Sequence, residues 1–130
     1  MTMIIQAIKS LEDLLPLKPA TEIQINDAEK QLGIKFSSEY REYLHEFGAI
    51  MADGIELSGI AKSEHRNVVS LTKKEWELNP KIPHTMYVVE NAGMDGIIIW
   101  QDTNGLVYQS RPFMEPKKIA ESLAEYIRSK

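Results

Sequence analysis

The hydrophobic period changes once along this chain, and that change constrains the fold more than any other feature. Before Pro80 the apolar residues recur mainly at helical spacing; after Pro83 they fall into short runs bounded by turn residues. The firmest helical stripe is Tyr40, Tyr43, Leu44 and Phe47, at i, i+3, i+4 and i+7. Ser37 or Ser38 stands where its N-cap belongs, and Gly48 closes it. Beyond Pro83, Met86 to Glu90, Gly96 to Gln101 and Leu106 to Ser110 read as three strands. The four successive apolar residues Ile97 to Trp100 predict a central strand covered on both faces. Asn91 to Gly96 reads as the first turn. Asn104-Gly105 predicts a tight type I′ hairpin for the second, because both residues tolerate positive φ. Short turns between successive strands imply an antiparallel meander.

Helices are expected around this sheet. Ile4, Ile8, Leu11 and Leu15 make one face of an N-terminal helix that Pro16 and Pro19 stop. It reads as a lid on the core, with a partner-binding arm as the alternative. A second helix starts at Asn26 with Glu29 three residues on, turns Ile25, Ala28 and Leu32 inward, and ends at Gly33. A strand is expected over Ile55 to Ile60 after the Asp53-Gly54 turn, then a helix over Asn67 to Leu78. A closing helix is expected after Pro116, with Ile119, Leu123, Tyr126 and Ile127 on one face. Helices and strands are segregated, so the class is α+β: an antiparallel β-meander sheet packed with flanking helices. The length of 130 residues fits one domain over 1–130, with 1–20 as N-terminal helix and linker.

The chemistry is notable for what is missing. There is no cysteine, which excludes disulfides, thiolate nucleophiles and cysteine-bound metals. No glycine-rich phosphate loop or nucleophile elbow occurs. His45, His65 and His84 are scattered without metal-ligand spacing. No catalytic residue, cofactor or metal is therefore expected. An enzyme using two sheet carboxylates as acid and base stands as the remaining catalytic reading. The net charge of −4 disfavours nucleic acid and favours a basic protein partner, although solubility alone also accounts for it. The N-terminus lacks a signal-peptide pattern, and no apolar run approaches the roughly 20 residues of a membrane span. The expectation is a cytoplasmic protein that meets no membrane.

Five carboxylates fall on expected strands, strand ends or turns of the sheet half: Asp53, Glu56, Glu90, Asp95 and Asp102. They are candidates for an acidic rim that meets a basic partner. Turn chemistry is the competing explanation, above all for Asp53, Asp95 and Asp102. Trp76 is a candidate aromatic anchor for the same interface, with core packing as its alternative. Trp100, Tyr87 and Tyr108 carry the same ambiguity.

The ordered set Ile25, Ala28-Glu29, Leu32-Gly33, Phe36, Tyr40, Tyr43-Leu44 and Gly48 resembles the N-terminal signature of the SUKH superfamily, which includes the Knr/Smi-type regulators. Glu56-Leu57 with Gly59 is similar to the family's first strand and turn, and Val68 and Thr72 to its mid-chain helix. Pro83, Val88-Val89, Asp95-Gly96, Asp102, Gly105 and Val107 are similar to its meander. Ser37 departs from the pattern where proline is frequent, and the region after Gly48 lacks the frequent Gly-Gly pair. The resemblance spans residues 21 to 129 and implies an immunity protein. Such a protein binds a cognate toxin encoded nearby, often a nuclease, and neutralises it by occlusion. A non-enzymatic regulatory or scaffold domain is the alternative it implies. The family has no catalytic residues to carry over.

Overall fold

A computed structural model describes residues 2–92 and 95–130. In chain order the elements are α1 (Met3–Lys9), β1 (Leu15–Pro16), α2 (Glu22–Leu32), α3 (Ser38–Phe47), β2 (Ile50–Ala52) and β3 (Ile55–Leu57). They continue with α4 (Val68–Leu78), β4 (Met86–Asn91), β5 (Ile98–Asp102), β6 (Val107–Ser110), β7 (Lys117–Ala120) and α5 (Leu123–Arg128). The class is α+β, as expected. There are two antiparallel sheets, ordered β1-β2-β3 and β4-β5-β6-β7.

The meander is buried on both faces. Tyr87, Val89, Ile99 and Val107 join the main core with α1, α2, α3 and α5. Val88, Ile98 and Trp100 point the other way, into a second cluster with Leu71 of α4, Ile82 and Met86. The alternation of a strand explains this split, and the unbroken apolar run of β5 is its sequence trace. Trp100 and Tyr87 are fully buried, so both are core residues.

Helix α3 anchors the assembly as its stripe predicts: Tyr40, Tyr43, Leu44 and Phe47 are all buried. Ser37 caps it, its Oγ accepting from the Tyr40 N–H at 3.0 Å. Phe36, Tyr40 and Tyr87 pack ring on ring with centroids 4.8 to 5.0 Å apart. The polar ends of these rings are satisfied. Tyr40 and Tyr43 both donate to the Ser58 carbonyl, at 3.1 and 2.9 Å. Tyr87 donates to Gln101 Oε1 at 2.8 Å. Gln101, wholly buried, passes the network on by donating to Glu39 Oε1 at 2.8 Å. The Glu39 carboxylate accepts from the Leu123 and Ala124 N–H groups at 2.7 and 3.0 Å. A carboxylate on α3 thus caps the start of α5.

Four local expectations are corrected. The N-terminal helix stops at Lys9, and Leu15 leaves its face to enter β1, opposite Met51. Pro16 drives this, because the residue before a proline is pushed to extended backbone. Helix α1 itself lies on α3 and α5 with Ile4, Ala7 and Ile8 buried, which makes it a lid. Helix α2 begins earlier than expected. Thr21 is the N-cap, and Gln24 completes a capping box with it. Gly33 ends α2 at φ +70°, as its position predicts. At the β5–β6 turn only Gly105 takes positive φ, so the loop is not type I′. Gly105 N–H donates to the Asp102 carbonyl and Asp102 N–H to the Leu106 carbonyl. That pattern fits a type I turn followed by a left-handed glycine. Finally, Lys117–Ala120 forms a fourth meander strand where a helix is expected, and α5 starts only after the Ser122 cap. Gly93 and Met94 of the expected first turn lie outside the described residues.

Among the described glycines, Gly59 marks the tightest backbone approach. A Cβ built there would lie 1.8 Å from the Gly48 carbonyl oxygen. Gly59→Ala should cost about 2 kcal/mol or more in urea unfolding, the overpacking range. Gly33→Ala meets nothing within 4 Å and should cost only the left-handed penalty of about 1–2 kcal/mol. Equal losses at the two sites would contradict the close approach.

The buried tyrosines set an alkaline limit. Burial holds the hydroxyls of Tyr40, Tyr43 and Tyr87 well above the usual tyrosine value of 10.0. Their raised folded values keep their stabilisation intact below pH 10, and it is lost as pH climbs from there towards the folded values. Each contributes a slope of about 1.4 kcal/mol per pH unit in that window. Tyrosinate absorbance from these three residues should therefore rise together with loss of near-ultraviolet dichroism, not before it.

Candidate functional site

The two sheets meet at a seam along β3 and β4. Ser58 donates its N–H to the Val89 carbonyl at 2.9 Å and its hydroxyl to the Val88 carbonyl at 2.7 Å. The β4–β5 register shifts between Val88 and Glu90, so β4 is bulged at this point. Glu90 lies just past the bulge and is buried. Its Oε2 accepts from the Glu56 N–H at 2.9 Å. Its Oε1 accepts from the Tyr126 hydroxyl and pairs with Lys130 Nζ at 3.1 Å. One carboxylate therefore ties β3, β4 and α5 together.

Outside this seam the small sheet has a wet face. Strand alternation sends Ile50, Ile55 and Leu57 inward and Met51 and Glu56 outward. Register places Leu15 opposite Met51, and Met51 opposite Glu56, in one row across three strands. Leu15 is 64% exposed and Met51 38%. Asp53 sits at the tip of the β2–β3 hairpin and donates its N–H to the Glu12 carbonyl at 3.0 Å. That bond brings the exposed residues Glu12 and Asp13 to the margin of the row. Glu56 Oε1 lies 3.5 Å from Arg66 Nε. The result is an apolar pair bordered by carboxylates, the anatomy of a protein-binding patch with a core and a charged rim.

The expected site residues divide into groups. Asp53 and Glu56 share this face and are exposed. Glu90 lies directly beneath it, engaged by the partners above. Asp95 is exposed at φ +53° between β4 and β5, at the end of the meander where Asn91 pairs with Ile98. Asp102 is at the opposite end, paired with Met86. Its Oδ1 accepts from the Asn104 and Leu106 N–H groups at 3.0 Å each, and its Oδ2 from the Tyr108 hydroxyl at 3.2 Å. Asp102 thus shapes the turn. Trp76 is half-buried on α4 and stacks on His84 with centroids 4.1 Å apart. Asp102 and Trp76 do not join the other residues. Leu15, Met51, Glu12 and Asp13 were not anticipated as a group. The signal was Leu15-Pro16, which marks extended backbone inside an apparent helical stripe.

A second apolar surface lies on the β6–β7 loop. Phe113 is 72% exposed at φ +60°, with Met114 and Leu78 also exposed. Asn79 holds the loop by donating to the Arg111 and Met114 carbonyls at 3.3 and 3.1 Å. Arg111, Glu115, Lys117 and Lys118 are exposed around it, and Lys118 pairs with Glu121.

Among the described residues no group of three His, Asp or Glu side chains is placed to hold a metal ion. His45 pairs with Glu22 at 2.7 Å. Among them, too, no helix is long and apolar enough to cross a membrane.

Glu90→Ala should destabilise the protein by about 2 kcal/mol or more, because it leaves the Tyr126 hydroxyl and the Glu56 N–H without their acceptor. Asp53→Asn and Asp95→Asn should stay within about 0.5 kcal/mol in the same urea titration. A Glu90→Ala loss as small as theirs would refute the buried staple.

No curated protein matches the chain. Among solved structures, a crystal structure of a protein from Pseudomonas syringae pv. tomato superposes with a TM-score of 0.77 at 19% identity. The match covers 97% of this chain and 93% of that one, so it shows a shared fold. The family model SUKH_5, described as SMI1-KNR4 cell-wall, matches residues 1–130. With the whole length matched and the fold shared, the chain belongs to the SMI1-KNR4 family of SUKH proteins.

Proposed function

We propose that this protein is a cytoplasmic immunity protein that acts as a single domain without catalysis. It binds a basic toxin domain of the nuclease type, encoded nearby, and neutralises it by occlusion. Membership of the SUKH family along the whole chain carries this reading. The small-sheet face supports it. Leu15 and Met51 supply the apolar centre, and Asp53 and Glu56, with Glu12 and Asp13, supply the charge. Glu90 supports it through the Glu56 N–H, while Asp95 stands apart in the β4–β5 turn.

The physical logic is electrostatic. A nuclease must hold a polyanion, so its active-site surroundings are cationic. A carboxylate-rimmed patch competes for those cations and speeds encounter, while burial of Leu15 and Met51 slows release. Neither step requires a reaction at the patch.

Co-expression with the product of the adjacent gene tests the reading. Protection of cells and co-purification are the expected results; loss of both sinks it. Met51→Lys should weaken the complex by about 2 kcal/mol, roughly thirtyfold, mainly through faster dissociation. Asp53→Lys with Glu56→Lys should slow association about tenfold at low salt and flatten its salt dependence. Unchanged kinetics in both variants would place the interface elsewhere.

The family description, which refers to the cell wall, favours a second reading as a regulatory or scaffold domain. A cellular partner that needs Met51, in cells with no protection from a toxin, would support that alternative.

A further inference from the structure

Among the described residues, three buried side-chain nitrogens lack a hydrogen-bond partner, and two of them belong to Arg66. Buried guanidinium nitrogens without hydrogen bonds are costly, because an ion pair at a longer distance offsets only part of their desolvation. The position of Arg66 is fixed by its backbone. Its carbonyl accepts from the Gly59 N–H at 2.9 Å, and its N–H donates to the Ser63 carbonyl at 3.1 Å. Asn67, next in the chain, caps α4. The main chain of Arg66 is therefore fixed at the junction of β3 and α4, and its Nε and Nη2 complete no hydrogen bond.

Arg66 also lines a cavity of about 230 Å³, together with Glu56, Ser58, His65, Leu71, Lys74 and Asn91, and its Nε and Nη2 are covered from solvent. Ser58 and Leu71 are buried and form its floor. Arg66 and Lys74 bring two positive charges, and His65 adds a ring nitrogen. Glu56 is the single carboxylate in this lining. It stands 3.5 Å from Arg66 Nε without completing a hydrogen bond, and its side chain is 47% exposed. Its carboxylate thus covers the guanidinium edge loosely and can swing into solvent.

We propose that this cavity is an oxyanion site, taking a phosphate or carboxylate group on Arg66, Lys74 and His65. The planar guanidinium presents Nε and Nη2 as a two-pronged donor that matches two oxygens of such a group. Lys74 adds a point charge and His65 a further donor. The entering group displaces the Glu56 carboxylate from Arg66 and releases it onto the outward face of the small sheet. The cavity's small volume restricts the occupant to the oxyanion itself or to the end of a larger molecule. The site stands whether or not the small sheet engages a toxin.

The test is a titration of the isotope-labelled full chain with sodium phosphate, and separately with sodium acetate, each against sodium chloride at matched ionic strength. The Arg66 Nε–H resonance should move saturably with phosphate, acetate or both, and which anion acts identifies the preferred group. A dissociation constant of about 1 mM or tighter is expected, the weak end of specific affinity. Arg66→Gln should abolish the anion-dependent shifts of the His65 and Lys74 backbone N–H resonances while thermal unfolding reports an intact fold. Lys74→Gln, on the surface of α4, should weaken binding several-fold even if Arg66→Gln does not fold. Shifts that merely follow ionic strength, or an affinity unchanged by Lys74→Gln, would overturn the proposal.

Discussion

Two tyrosine hydroxyls on one helix hold this fold in register. Tyr40 and Tyr43 converge on the Ser58 carbonyl, while the Ser58 N–H and hydroxyl engage consecutive carbonyls of β4. Tyr43 also accepts the Ile50 N–H at 3.1 Å. The hydroxyls are fully buried, so each would be costly without a partner. Apolar packing alone would let α3 slide over the sheets; the hydroxyls permit one placement. The small sheet, the meander and α3 are consequently fixed relative to one another at a single residue.

The second buried network does the same for the far side. Ser37, Tyr87, Gln101 and Glu39 run from the start of α3 through the meander to the start of α5. Gln101 is decisive because its amide both accepts and donates. Its oxygen takes the Tyr87 and Ser37 hydroxyl protons, and its nitrogen serves Glu39 and the Gly105 carbonyl. The two networks leave the outward row of the small sheet without a structural duty.

Elements with strong local signals were legible in the sequence. The α3 stripe, the Asn67-capped α4, the Gly33 stop and the buried β5 run each carry a physical instruction within a few residues. The errors arose where tertiary pairing overrides local pattern. Leu15 continues a helical spacing from Leu11, yet its backbone pairs with β2. Ile119 fits the stripe of α5, but Lys117 to Ala120 pair with β6 and α5 begins later. Asn104-Gly105 carries a type I′ signal, but the Asp102 carboxylate gathers the loop N–H groups and selects another turn. Strands β1 and β2 are only two and three residues long, too short for an alternation to register.

The site was legible in composition but not in placement. Five carboxylates were recognisable as a set, and the fold gives them different duties. A carboxylate's worth depends on what surrounds it. Glu90 is buried among donors and stabilises the seam, Asp102 orders a turn, and Glu56 is left half-exposed against an incompletely bonded cation. Glu56 donates its backbone N–H to Glu90 while its side chain lies beside Arg66. Its main chain is therefore pinned while its carboxylate is free to choose between the Arg66 cavity and the outward face. A residue held in this way couples the two surfaces: whatever anion fills the cavity adds one carboxylate to the face beside it.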